Sequence, residues 1–157
     1  GAQSVMNIVL HEPEIHLNTG NIGRTCVATA TALHLVGPLG FRLTDKAIRR
    51  AGLDYWPKLK LTVHDDFERF LAACGDTPDL IFFSTKGKKS FWDAAYHPDS
   101  YLIFGSETKG LPTALHQRYS ERIYRIPTTG DVRSLNLSTA AAIVLYEALR
   151  QTNRLGE

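Results

Sequence analysis

Ile103-Phe104-Gly105-Ser106-Glu107-Thr108-Lys109-Gly110-Leu111-Pro112 is the stretch whose reading decides the fold. An apolar, β-rich run, Tyr101–Gly105, enters a Gly-x-Glu-x-x-Gly loop, and a helical segment follows over Leu111–Arg118. Pro112 falls in its first turn, where the missing N–H has no partner to lose. Gly105 would let a flat ring lie against the main chain. Glu107 suits a first helical turn, where the dipole favours a carboxylate, and can accept hydrogen bonds from nearby backbone groups or a substrate.

The same alternation runs outward in both directions. Short β-rich runs stand at Met6–Leu10, His34–Gly37, Lys60–His64, Leu80–Ser84 and Arg122–Ile126. Helical spacing lies between them, at Asn21–Leu33, Asp45–Ala51 and Asp66–Cys74, and again at Leu137–Arg150. In that last segment Leu137, Ala141, Val144, Leu145, Ala148 and Leu149 form one broad apolar face. Strands alternating with helices predict an α/β fold, a single domain with a mainly parallel sheet flanked by helices. Such sheets take ligands at the carboxyl ends of their strands.

The 157 residues fit one domain, 43% hydrophobic and 22% charged, outside the range of disordered chains. No apolar run approaches the roughly 20 residues that span a bilayer, and no secretory signal is expected, so no membrane partner is predicted. Cys26 and Cys74 lack metal-ligand spacing and read as reduced thiols of a cytoplasmic protein; no metal is expected. A formal net charge of +2 decides little; a protein bound to RNA mainly by bulk charge is usually more basic, so any RNA binding is expected to use local basic clusters. Residues 1–5, ahead of Met6, read as an added leader, with the domain running over 6–157.

Two further loops carry chemistry. Asn18-Thr19-Gly20-Asn21-Ile22-Gly23-Arg24 is expected to join the first strand to the first helix, with Asn18 or Thr19 as the cap. Its glycine spacing is not that of a dinucleotide site, and no phosphate loop occurs elsewhere. Arg24 at its mouth offers a fork of donors to a phosphate or a sugar hydroxyl. Ile126-Pro127-Thr128-Thr129-Gly130-Asp131-Val132-Arg133-Ser134-Leu135-Asn136-Leu137-Ser138 leaves a strand and enters an Ala-rich helix. Asn136 or Ser138 can cap that helix, but a cap does not account for Arg133, Ser134, Asn136 and Ser138 clustered together.

Taken in order, these three segments resemble the motifs of the SPOUT superfamily of methyltransferases, and within it the small tRNA 2′-O-methyltransferases of the TrmL (YibK) type. The opening Met6–Ile15, the central Arg49–Tyr55 and Thr85-Lys86-Gly87 resemble the same subgroup, and the likeness covers Met6 to Gln151. The resemblance implies a C-terminal trefoil knot, otherwise nearly absent from proteins. It implies S-adenosyl-L-methionine as cofactor and S-adenosyl-L-homocysteine as product. By position Phe83, Gly105, Ile126 and Ser134 would be the main cofactor contacts, with Ser84, Thr85, Glu107, Pro127, Leu135 and Asn136 nearby.

The implied reaction is methyl transfer to a ribose 2′-hydroxyl at the tRNA wobble nucleotide, cytidine or modified uridine. The alternatives are a ribosomal RNA 2′-O-methyltransferase and an inactive RNA-binding module of the same fold. The resemblance gives Arg24 the catalytic step. A guanidinium with a pKa above about 12 is a poor base, so orientation of the hydroxyl and stabilisation of alkoxide character suit it better. Asn136 and Ser138 are expected to fix the ribose or the methionine end of the cofactor, with Tyr146 behind them or across a subunit boundary. Lys86, Lys88 and Lys89, with Arg49, Arg50 and Arg133, are the candidate RNA contacts. A homodimer is expected, packed through the apolar face of Leu137–Arg150 and the small residues of Asn21–Leu33.

Overall fold

Side chains alternate across a strand, and here both faces of the sheet are apolar. A computed structural model describes residues 4–44, 46 and 54–152. In chain order its elements are β1 (Asn7–His11), α1 (His16–Ala28), β2 (Ala32–Val36), β3 (Leu61–His64), α2 (Phe67–Ala73), β4 (Leu80–Phe83), β5 (Lys89–Ser90), β6 (Tyr101–Phe104), α3 (Thr113–Arg118), β7 (Ile123–Arg125) and α4 (Leu137–Thr152). Ile8, Leu10, Ile81, Phe83, Leu102 and Phe104 point to one layer, which Ile22 and Cys26 of α1 and the buried face of α4 complete. Val9, Leu80, Phe82 and Ile103 point to the other, closed by Phe67 and Phe70 of α2 and Leu115 of α3. The result is a three-layer α/β/α domain.

The seven strands run in the order β3-β2-β1-β6-β4-β7-β5, and every pair is parallel. β6 is inserted between β1 and β4, although it follows β4 in the chain. The strands therefore run outward in opposite directions from β1 and β6. A crevice forms at the carboxyl ends of strands at such a switch point.

The expected strands and the last helix are present. α4 buries Leu137, Ala141, Val144, Leu145, Ala148 and Leu149, the face its spacing predicts. That face packs into its own core, so it is not free to form a dimer; the outer side of α4 carries Ile143 and Tyr146, 38% and 52% exposed. α1 corrects a second expectation. It begins at His16 rather than Asn21, so the segment read as a strand-to-helix loop lies inside the helix. Neither Asn18 nor Thr19 caps it: Ile15 holds the cap position without a side-chain bond, and Thr19 is buried. The helix also ends sooner, at Ala28, where Ala30 turns to a positive φ of 54° and Thr31 N–H returns to the Cys26 carbonyl. β2 consequently starts at Ala32, ahead of the expected His34. β5, a two-residue Lys-Ser edge strand held to β7 by backbone pairing, has no apolar pattern to announce it. Apart from Lys46, the Asp45–Ala51 segment, with Arg49 and Arg50, lies outside the described residues.

Candidate active site

Three loops meet above β1 and β6, and hydrogen bonds between residues far apart in sequence join them. The Glu107 carboxylate accepts from the backbone N–H groups of Glu14 and Ile15, both at 2.8 Å, and from Asn18 Nδ2 at 3.1 Å. It thus fixes the residue at the cap position of α1 and the one before it, from 93 residues away. The tie is reciprocal: the Glu14 carboxylate accepts from Thr108 N–H at 3.0 Å and from the Thr108 hydroxyl at 2.7 Å. Those bonds hold the Glu14 carboxyl below its ordinary pKa.

Asn18 carries the chain of bonds to the third loop. Its Oδ1 accepts from Asn136 Nδ2 at 3.1 Å. Asn136 Oδ1 in turn accepts from Ser138 N–H at 2.9 Å, the Ser138 hydroxyl at 2.6 Å and Thr139 N–H at 3.3 Å. Asn136 is therefore the cap of α4, one of the two residues expected there, and it spends its amide N–H on α1. Glu107, Asn18, Asn136 and Ser138 form one continuous polar seam across the loops.

Gly105 is required by the main chain itself. A Cβ there would stand 2.1 Å from the Gly110 carbonyl carbon and 2.2 Å from Leu111 N, both main-chain atoms. The missing side chain lets the loop fold back on its own strand, where Ser106 and Gly110 form a short bridge.

The remaining expected residues distribute around this junction. Phe83 is buried and stacks on Phe104, with ring centroids 5.1 Å apart. Ser84, half-buried, meets His116 Nε2 at 3.2 Å and accepts from Lys86 N–H at 3.1 Å. Burial, then the charge of Lys86, lowers the His116 pKa. Thr85 is exposed; Ile126, Pro127 and Leu135 are half-buried; Ser134 and Arg133 are exposed. Lys86 and Lys88 are exposed, whereas Lys89 lies 3.9 Å from Glu121. Tyr146 sits on the outer side of α4, 52% exposed.

Arg24 lies within α1, where the sequence reading places a loop. It is exposed on α1, six positions beyond Asn18 and so about 9 Å further along the helix axis. Its guanidinium lies over the Tyr55 ring, 4.8 Å from the centroid. Sequence reasoning missed Glu14, Thr108, His116 and Arg125, whose guanidinium donates to the Gly87 and Lys88 carbonyls and holds the basic loop. No local pattern could have found them, because each acts on a partner at least 32 residues away.

The sequence matches the SpoU rRNA Methylase family over residues 5–146. A Burkholderia pseudomallei protein named tRNA (cytidine(34)-2'-O)-methyltransferase is 46% identical, covering 94% of this chain and 96% of its own. A solved structure described as "Structural insights into the 2-OH methylation of C/U34 on tRNA" superposes with a TM-score of 0.88 at 42% identity, covering 94% of this chain and 96% of that one. An AdoMet-bound rRNA methyltransferase from Sinorhizobium meliloti shares the fold, with a TM-score of 0.80 at 24% identity over 95% of this chain and 57% of its own. With a parallel sheet switching at β6 and a junction of three loops above it, the chain belongs to the SpoU methylase family.

Proposed function

We propose that this protein transfers a methyl group from S-adenosyl-L-methionine to the ribose 2′-hydroxyl of nucleotide 34 of tRNA, the wobble position. The observation that carries the reading is the seam from Glu107 to Ser138 at the switch point, in a chain 46% identical to a protein named for that activity.

The loops suit an adenosine-bearing ligand. Ile126, Pro127 and Leu135 keep part of their apolar surface open beside the seam. Among the described residues, the hydrogen bonds across residues 127–135 are two short turns, Gly130 N–H to the Thr128 hydroxyl and Asp131 N–H to the Thr129 hydroxyl. Peptide groups of this loop are thus available to the polar edge of a base, and Ile126, Pro127 and Leu135 to its faces. When bound, the sulfonium cofactor supplies an activated methyl group. Phe83, Ser84, Thr85, Gly105, Ser134 and Asn136 would frame or wall its site, and Glu107 would hold the loop from behind. Positioning in such systems contributes about 7–11 kcal/mol.

Arg24 is assigned to the 2′-hydroxyl: it orients the oxygen and stabilises the charge that grows there as the proton leaves. Lys86, Lys88 and Arg133 serve the RNA backbone; Lys89, beside Glu121, contributes less. We also assign to the C-terminal half the trefoil knot of the SPOUT fold. The insertion of β6 between β1 and β4 supports it. So does the crossing at Gly87, where a Cβ would stand 2.5 Å from the Tyr124 carbonyl carbon. The protein acts in the cytoplasm as a homodimer, through the exposed apolar residues Leu17, Ile143 and Tyr146 of α1 and α4. A monomeric sedimentation mass for fully active protein would overturn the dimer.

The decisive experiment maps 2′-O-methyl groups by mass spectrometry in tRNA and ribosomal RNA from cells with and without the gene. Loss at tRNA position 34, restored by the wild type and not by Arg24→Ala, is expected. Arg24→Ala should retain calorimetric affinity for S-adenosylmethionine. Loss of methylation in ribosomal RNA instead would favour the activity in the family's description.

A further inference from the structure

Arg24 has no acidic partner: among the described residues no ion pair engages it. What holds it is aromatic. We propose that Tyr55 is the positioning residue of Arg24, its ring supporting the guanidinium while its hydroxyl fastens the ring to the backbone of α1. The proposal rests on the assignment of Arg24 to the 2′-hydroxyl.

Gly20 and Gly23 lie three apart on α1, hence on one side of it. A Cβ on Gly23 would press on Trp56 at 3.0 Å and Leu59 at 3.3 Å, so the segment 55–59 lies directly on the helix. In that seat the Tyr55 hydroxyl donates to the Gly20 carbonyl. Gly20 stands one turn before Arg24, and helical side chains lean toward the N-terminus, so Arg24 lies back over the ring. The 4.8 Å separation is within cation–π range. Burial raises the Tyr55 pKa, against the opposing charge of Arg24, so the hydroxyl remains a donor.

The choice of a ring has a chemical consequence. A carboxylate would neutralise the guanidinium and occupy its donors. A ring face holds the plane and leaves the in-plane N–H groups and the full charge for an oxygen of the substrate.

The test compares wild type, Tyr55→Phe and Tyr55→Leu in tRNA methylation and in cofactor calorimetry. Tyr55→Leu is expected to lower kcat about tenfold, the scale of one cation–π contact, with KM and calorimetric affinity for S-adenosylmethionine unchanged. Tyr55→Phe, which keeps the ring, should retain at least about a third of kcat. In parallel, the Arg24 Nε–H resonance, identified by its loss in Arg24→Lys, should be ring-current shifted in the wild type and in Tyr55→Phe. A wild-type kcat in Tyr55→Leu, or an unshifted Arg24 resonance in the wild type, overturns the proposal. Wild-type protein that methylates no RNA defeats the functional reading instead, and the resonance still decides whether Tyr55 positions Arg24.

Discussion

Removing the Glu107 carboxylate separates a structural role from a ligand role at the same position. Its bonds to Glu14 N–H and Ile15 N–H, each 2.8 Å, and to Asn18 at 3.1 Å close the start of α1. Hydrogen bonds to a charged group contribute about 1.5–3 kcal/mol each when buried. Glu107 is half-buried and Ile15 exposed, so water replaces part of what is lost. Glu107→Ala should therefore destabilise by about 3 kcal/mol, and Glu107→Gln, which keeps one acceptor oxygen, by about half that. At the size of this chain the alanine variant should melt about 6–12 °C lower. Urea unfolding followed by circular dichroism gives the free energies, and calorimetry gives cofactor affinity. The expected pattern is lost stability with cofactor affinity in Glu107→Gln within about threefold of wild type, a change of less than ~1 kcal/mol. An alanine variant that melts with the wild type but no longer binds cofactor would show that the carboxylate is a ligand, and would refute the structural role.

Two further outcomes follow from other parts of the structure. His34 Nδ1 lies 3.0 Å from His64 Nε2, and its Nε2 is 3.2 Å from Asn7 Oδ1. Burial, then the neighbouring His64, pushes its pKa down to about 4 from 6.5. The folded state then binds fewer protons than the unfolded state between those values, so the stability His34 contributes is complete above pH 6.5 and is lost as pH falls toward 4. Between pH 7.5 and 5 the loss is about 2 kcal/mol, and His34→Gln should flatten the urea-derived stability profile by that amount. Parallel profiles for the two proteins would rule this out. Gly105→Ala should abolish cofactor binding and cost at least ~1–3 kcal/mol, because its Cβ meets main-chain atoms of Gly110 and Leu111 that cannot rotate away; a crystal structure with the loop unmoved would contradict it.

Period and punctuation made the sheet and α4 legible. Apolar runs of strand length between turn residues placed β1, β3, β4 and β6, and the six buried residues of α4 were read correctly because a helix against one layer keeps a strict face. α1 was misplaced because the signal for its start is not beside it. Glycines and Asn18 inside a helix look like a loop, and the group that fixes the chain entering it at Glu14 and Ile15 is Glu107, 92–93 residues away. The site divides in the same way. Asn136 could be read as a cap from its own neighbourhood, whereas its bond to Asn18 spans 118 positions and no window contains it. Gly105 can be read from sequence as a place of close approach, whereas the approach of Gly110 and Leu111 to it cannot.

The insertion of β6 between β1 and β4 also orders events during synthesis. β2 can pair with β1, and β3 with β2, as soon as each emerges, but the other edge of β1 has no partner until residues 101–104 exist. From His11 to Phe104 is 93 residues, roughly 5–20 s of translation. For that interval the growing chain carries an open strand edge in the middle of its future sheet, the kind of edge that invites pairing with another chain. β4 must also wait beside the gap, since its two neighbours, β6 and β7, are both made later. The loops above β6 therefore come together only after most of the chain has left the ribosome, and a truncated product cannot display a working pocket.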